Sequence, residues 1–320
     1  MNPKTVCIVG GTGFVGGYIA NRLGRDGHRV RVLSRRRERK RDVLVVPNLQ
    51  LLEADVHDER TLFQHFKDCD AVINLAGILN EQTGRKGEQF RRVHADLPRK
   101  IVTACRRASV RRYLHMSALG AAADAPSLYQ RTKAEGERAA LEANSDRLMA
   151  TSFRPSVIFG PGDSFITLFA TLLRFAPGVM FLPTPGAQFQ PVYVGNVAEA
   201  FSRALDDPTT AGKGYELCGP QRYTLRELVE YISRISGVRR KIVGLPDGLS
   251  RLQARILEWV PGKPYSYDNY LSSTVPNVCG TNGLAELGIE PTPLETVAPG
   301  YIGHGHRQDR YQEFRREAGR

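Results

Sequence analysis

The chain has one tryptophan, four methionines and five cysteines in 320 residues. Cys7, Cys69, Cys105, Cys218 and Cys279 lie far apart, form no CxxC pair and are odd in number. That spacing speaks against a disulfide framework or a zinc site and fits a reducing compartment. Long apolar runs are missing too. Nothing reaches the roughly 18 uninterrupted apolar residues of a membrane span, and the nearest candidate, 165–182, is broken by Arg174, Pro177 and Gly178. The first strand-like run begins at Thr5, which leaves no room for an export signal, so a cytoplasmic chain is expected. Acidic residues are also short, 33 against 45 Lys plus Arg, for a formal charge of +12. The surplus invites a polyanion, but the basic residues are mostly arginine and dispersed, clustering only at 35–41, 106–112 and 307–320. No interleaved aromatic and basic motif accompanies them, so nucleic acid is an unlikely partner.

What is present is an ordinary globular composition, 41% hydrophobic and 24% charged, enough for one large core or a core plus a lobe. The most informative stretch is Val6-Cys7-Ile8-Val9-Gly10-Gly11-Thr12-Gly13-Phe14-Val15-Gly16. A β-rich run ends in spaced glycines and passes into an amphipathic segment, the context of a dinucleotide site. Gly10 serves the tight turn, Gly13 lets backbone approach a pyrophosphate, and Gly16 lets the helix pack on the sheet. The phosphates would rest on the helix N-terminus formed by Gly13, Phe14 and Val15.

The second strand, Arg29-Val30-Arg31-Val32-Leu33, leads into Ser34-Arg35-Arg36-Arg37. An NAD-preferring site usually places an acidic side chain near here for the ribose 2′-hydroxyl. Arg35 or Arg36 would instead fork onto a 2′-phosphate, with Ser34 adding a hydroxyl, so NADP(H) is preferred and NAD(H) remains possible. The competing reading is a solvated basic loop.

Strand-like runs near 5–9, 29–33, 49–54, 71–75, 112–117 and 150–158 alternate with helical patterns, which predicts an α/β Rossmann fold with a doubly wound parallel sheet. The expected dinucleotide-binding domain is 1–160, completed by 188–218. A smaller C-terminal lobe would comprise 161–187 and 219–300, and 301–320 a basic, mobile tail. Ligands of such sheets lie at the carboxyl ends of strands. Asp55 and Val56 after the third strand, and Leu75-Ala76-Gly77 after the fourth, are therefore placed beside the cofactor.

Tyr129 and Lys133 stand four apart within a helical pattern, so both project from one face. A neighbouring ammonium lowers a phenol's pKa, and Tyr129 would exchange a proton with a carbonyl or hydroxyl oxygen while Lys133 holds the nicotinamide ribose. Ser117, 12 residues upstream at the end of the fifth strand, would bind the same oxygen. The alternative is a tyrosine and lysine on an exposed helix.

With these residues the chain resembles the extended short-chain dehydrogenase/reductase superfamily. The resemblance covers nearly all of residues 4–300 and rests on the three spaced glycines, Asp55, Asn74-Leu75-Ala76-Gly77, Ser117, Tyr129-x-x-x-Lys133 and Arg154-Pro155-Ser156-Val157-Ile158-Phe159-Gly160-Pro161-Gly162. Within it the chain is similar to the atypical group named for the NAD(P)-binding accessory subunit of respiratory complex I. That likeness is carried by His115-Met116-Ser117-Ala118-Leu119-Gly120, Lys133-Ala134-Glu135-Gly136-Glu137, Pro191-Val192-Tyr193-Val194-Gly195-Asn196-Val197-Ala198 and Tyr215-Glu216-Leu217-Cys218-Gly219-Pro220. The resemblance implies Pro155 and Val157 as cofactor contacts. It also implies a hydrophobic substrate or quinone, a respiratory-complex or quinone-synthesis partner, and contact with the inner face of a membrane.

Two positions depart from the superfamily pattern. His94 stands where an active-site asparagine is usual, and Asn196 where an aspartate is usual. His94 is either a relay in its own right or a hydrogen-bonded helix histidine. Two functions follow: an oxidoreductase using Ser117, Tyr129 and Lys133, or a catalytically weak nucleotide-binding accessory protein. His304 and His306 suggest a metal pair, but without further ligands no metal is expected. Phe165, Leu168, Phe169, Leu172, Leu173 and Phe175 form an apolar helix that either lines a substrate pocket, rests at a lipid boundary or belongs to the core.

Overall fold

The computed structural model describes residues 2–35, 46–81, 87–260 and 265–302. In chain order the elements are β1 (Thr5–Val9), α1 (Phe14–Arg25), β2 (Arg29–Ser34), β3 (Leu49–Glu53), α2 (Glu59–Phe66), β4 (Ala71–Asn74), α3 (Glu88–Phe90), a π-helical turn (Arg91–Asp96), α4 (Leu97–Arg107), β5 (Arg112–Met116), α5 (Leu128–Glu142) and β6 (Met149–Pro155). They continue as β7 (Ile158–Phe159), α6 (Phe165–Phe175), β8 (Val179–Leu182), β9 (Gln188–Phe189), β10 (Val192–Tyr193), α7 (Val194–Asp206) and β11 (Gly214–Leu217). Last come β12 (Tyr223–Thr224), α8 (Leu225–Ile235), β13 (Lys241–Gly244), α9 (Asp247–Leu257), α10 (Tyr267–Ser273), α11 (Gly283–Glu286) and α12 (Leu294–Ile302).

The chain forms two compact units, one of 1–155, 195–217 and 280–290, the other of 156–194, 218–279 and 291–320. The first is a seven-stranded sheet in the order β11-β6-β5-β4-β1-β2-β3. Its ladders are all parallel. Both faces are covered by helices, so β1 reads as an unbroken apolar run, with Val6, Cys7, Ile8 and Val9 inaccessible to solvent. The order reverses between β1 and β4, and register aligns the ends there: Val9 faces Leu33 on one side and Asn74 on the other. Gly10, Ser34 and Leu75 therefore leave the sheet along one edge, where such folds open a ligand crevice.

The second unit has no large sheet. β7 pairs with β10, β9 with β12 and β8 with β13. Its core joins Ile166, Ala170 and Leu173 of α6 to Met180, Leu228, Ile232 and Ala298. A capping box, in which Thr224 and Glu227 satisfy each other's backbone N–H, starts α8.

Two expectations are corrected. The unit boundary falls after Pro155, and residues 188–194 belong to the second unit because they pair there with β7 and β12. Residues 280–290 return to the first unit: Gly280 N–H donates to Glu216, and Gly283 abuts Tyr215 on β11. Cys218 and Cys279 are joined in a disulfide. Gln190 explains why residues 61 apart in sequence meet. Its side-chain amide donates to Gly219 O and accepts from Cys279 N–H, which pins the two cysteine-bearing segments together. Cys7, Cys69 and Cys105 are free and buried.

Candidate nucleotide and proton-transfer site

The glycine loop is built for close approach by something other than a side chain. Gly10 has φ +83°, and a Cβ there would lie 2.8 Å from Ala76 N, because β1 and β4 leave the sheet side by side. A Cβ on Gly16 would lie 2.5 Å from Gly11 Cα, so the helix packs first on the loop's own backbone and less on the sheet than expected. At Gly13 a Cβ would touch only Gly10 O, at 3.4 Å.

α1 starts from Gly13 with no side-chain cap and no acidic residue in its first turn. The backbone N–H groups after Gly13, at Phe14, Val15 and Gly16, thus offer an anion-binding end without competition from a carboxylate. Phe14 packs edge-on against Tyr18 one turn along the helix.

Ser34 ends β2 and is buried, while Arg35 is exposed beside it; Arg36 lies outside the described residues. Ala54 N–H donates to Ser34 O, carrying the β2–β3 ladder one residue further and bringing Asp55 to the same edge. Asp55 is exposed and accepts from His57 N–H, and Val56 packs on the core beneath it with Ala76. Leu75 N–H donates to Val9 O at 2.9 Å. Asn74 accepts from Ala76 N–H and faces His115, so Leu75-Ala76-Gly77 is held as a fixed strip of backbone. The uncapped N-terminus of α1, with Gly10 and Gly13 leaving no side chain in front of it, fits the phosphates of a dinucleotide.

The proton-transfer residues lie on α5, whose start is set by the Ser127 hydroxyl accepting from Gln130 N–H. Tyr129 is half-buried and Lys133 buried. Lys133 Nζ donates to Met116 O at 2.6 Å. Burial pulls its pKa down to about 8, partly offset by Glu137. Burial pushes the Tyr129 phenol up to about 12. Burial alone accounts for this shift, so the expected lowering by the ammonium does not appear, and Tyr129 is a protonated donor at neutral pH.

His94 sits in the π-helical turn, a distortion that recurs at functional sites. Its Nε2 accepts from Ile78 N–H at 3.1 Å, and Nδ1 lies 3.1 Å from Thr132 Oγ1. Thr132 donates its own proton to a backbone oxygen of Leu128 or Tyr129. The bond set assigns Nδ1 as the protonated nitrogen and leaves no ring nitrogen free to relay. Burial, with Lys133 nearby, holds the pKa of His94 well below the usual value. Of the two readings the sequence allowed, the hydrogen-bonded helix histidine fits. It packs edge-on against Tyr129 with ring centroids 5.3 Å apart and so braces the phenol.

Ser117 is brought near α5 but is otherwise occupied. Its hydroxyl donates to Glu137, whose two oxygens also receive Arg154 Nε. Glu137 was not foreseen. The signal was its place four residues after Lys133, on the same helix face. Gly136 beside it permits the crossing of α5 over the π turn, since a Cβ there would fall 1.9 Å from His94 O. Pro155 ends β6 in this unit, and its carbonyl accepts from Leu119 N–H. Val157 lies in the second unit, where its N–H donates to Asn277. Asn196 donates to Glu290 O, a structural bond. The described residues hold no group of three metal-ligating side chains, and His304 and His306 lie outside them.

The NAD dependent epimerase/dehydratase family matches residues 6–218, which carry every one of these residues except Asn277, Glu290 and the terminal histidines. The chain belongs to that family. It is 31% identical over 313 residues to "NADH dehydrogenase [ubiquinone] 1 alpha subcomplex subunit 9, mitochondrial" of Mus musculus, covering 90% of this chain and 77% of the relative. It is 30% identical over 261 residues to a ceramide reductase of Caulobacter vibrioides, covering 79% and 78%. Among solved structures it resembles MoeE5 in complex with UDP-glucuronic acid and NAD, with a TM-score of 0.65, 19% identity and coverage of 75% and 85%. That likeness is one of fold, a Rossmann-like parallel sheet with flanking helices.

Proposed function

We propose that the chain is an NADP(H)-dependent oxidoreductase acting on a hydrophobic carbonyl, alcohol or quinone-type substrate, with Tyr129 exchanging the proton. The observation that carries this reading is the placement of Tyr129 and Lys133 four residues apart on α5, with the lysine buried and anchored to Met116 O; burial keeps the phenol protonated and lowers the lysine. NADPH, when bound, would supply the hydride. Tyr129 would give its proton to the oxygen of the substrate as that oxygen gains negative charge, and Lys133 would offset the charge left on the phenolate. Lys133 would also reach the ribose, and Arg35 at the end of β2 would pair with a 2′-phosphate. A hydrophobic substrate agrees with the ceramide reductase among the relatives.

A second reading is favoured by one specific arrangement. His94 and Ser117 both have their hydrogen-bonding capacity committed to the fold, which suits a nucleotide-stabilised accessory or assembly protein of a respiratory complex or of quinone synthesis. In either role the protein would work at the cytoplasmic surface of a membrane without spanning it. No described helix is long and apolar enough to cross one.

Replacing Tyr129 by Phe tests the first reading. NADPH-dependent reduction of a short-chain quinone or hydrophobic ketone should fall about a hundredfold or more, while NADPH affinity stays within about twofold because the ribose contact remains. Wild-type turnover in Tyr129→Phe would remove the proton-donor role. Tight NADPH binding with no turnover in the wild type would favour the accessory role.

A further inference from the structure

α9 faces the wrong way for a core helix. Its buried stripe is Ser250 and Ala254, both inaccessible to solvent. The bulky residues Leu249, Leu252 and Ile256 are each more than half exposed. Helical winding continues past the last regular residue, with Trp259 and Val260 N–H donating to Ile256 O and Leu257 O. At about 100° per residue, Trp259, Leu252, Ile256, Leu249 and Val260 share one arc of about 100°. Trp259, the only tryptophan of the chain, is 90% exposed.

The helix is fixed in this orientation. Ser250 Oγ accepts from Thr184 N–H, and Asp247 at the first turn accepts from Tyr270 on α10. Between the buried stripe and the apolar arc run Arg251 and Arg255, whose guanidinium groups lie 5.7 and 5.2 Å from the Tyr267 ring centroid. Small residues therefore seat the helix, large apolar ones point outward, and a positioned pair of cations borders them. The ribbon that feeds α9 repeats the pattern. Phe181 of β8 pairs with Val243, and Lys241 two residues before it is exposed on the same face of the ribbon. Phe175, at the end of α6, is 81% exposed next to Arg174.

We propose that α9, through Leu249, Leu252, Ile256 and Trp259, is an interfacial membrane helix for anionic lipid. This rests on the reading of peripheral membrane contact given above and names the surface responsible. The aliphatic arc would enter the boundary of the acyl region, Trp259 would sit at headgroup depth, and Arg251 and Arg255 would meet lipid phosphates. The complementarity of cationic flank and anionic headgroup selects this occupant. α6, for which the sequence leaves pocket, lipid boundary and core open, buries Ile166, Ala170 and Leu173 in the core and exposes large apolar side chains only in its last turn.

Because Trp259 is the only tryptophan, its fluorescence reports on this helix alone. The full chain is mixed with vesicles of phosphatidylcholine containing phosphatidylglycerol, with or without acyl chains brominated near the headgroup, and NADPH affinity is measured in parallel. The expected result is a blue shift and quenching with the anionic brominated vesicles. Leu252→Glu with Ile256→Glu should weaken vesicle binding about tenfold or more while NADPH affinity is unchanged. Vesicle binding without quenching of Trp259, or undiminished in the double variant, overturns this surface and leaves peripheral contact standing. No binding to any vesicle overturns both. A shift produced only by a protein partner, with none from lipid, also overturns the lipid assignment.

Discussion

The two units solve the problem of apolar surface in opposite ways. In the first, the central strands of the sheet are buried, and Leu79 is the one large apolar side chain left exposed among the described residues. In the second, Leu172, Phe175, Phe181, Leu249, Leu252, Ile256, Trp259 and Val260 are all exposed. The first unit keeps its candidate site in a glycine loop with an uncapped helix end and in the side chains of α5. The second carries its distinguishing chemistry on its outer surface. The outward apolar arc of α9 is what the proposed lipid contact would cover.

The comparison makes the second unit the one that needs a covalent staple. Closing 61 residues with the Cys218–Cys279 bond constrains the unfolded chain by up to about 4 kcal/mol. Reduction, or Cys218→Ser, should lower the unfolding transition of the second unit and make 218–279 the first stretch cut in limited proteolysis. NADPH binding should change little. Equal loss in both units would erase the distinction.

The first unit should instead be intolerant of added atoms. Gly136→Ala puts a methyl group 1.9 Å from His94 O and should cost about 3 kcal/mol or more of stability in denaturant unfolding. Leu252→Ser on the outward face of α9 should cost less than about 0.5 kcal/mol. Comparable losses would mean that α9 is packed after all.

The buried lysine gives a pH dependence with a definite sign. Its folded pKa, about 8, lies below the unfolded value of 10.5, so the unfolded chain binds the extra proton between those values. The penalty is fully present below pH 8, and stability rises as pH goes from 8 toward 10.5. Relative to Lys133→Met, the wild type should gain about 2–3 kcal/mol across that window. A flat difference would mean that the lysine is not desolvated. His94 acts at the other end. Its pKa is held below the usual 6.5, so stability should fall as pH drops below 6.5, and less so in His94→Asn.

Much of the first unit was legible because its strands are buried on both faces and its helices amphipathic. Runs such as Val6-Cys7-Ile8-Val9 and Ala71-Val72-Ile73 read as strands without ambiguity, and the glycines announced the loop. The second unit was less legible because its sheets are built from two-residue strands, β7, β9, β10 and β12, too short for a period to register. The disulfide escaped because Cys218 and Cys279 meet through Gln190, a long-range contact that local spacing does not encode. In the site, the positions of Tyr129 and Lys133 were readable from helical spacing. The commitments of Ser117 to Glu137 and of His94 to Ile78 and Thr132 were not, since each depends on which way a buried side chain turns.

The most direct test of the central account is an equilibrium titration of the full chain with NADPH and NADH, repeated for Arg35→Ala. The account predicts tighter binding of NADPH, with about a tenfold loss of that preference in the variant. Equal affinity for the two cofactors, or a preference untouched by Arg35→Ala, would contradict it.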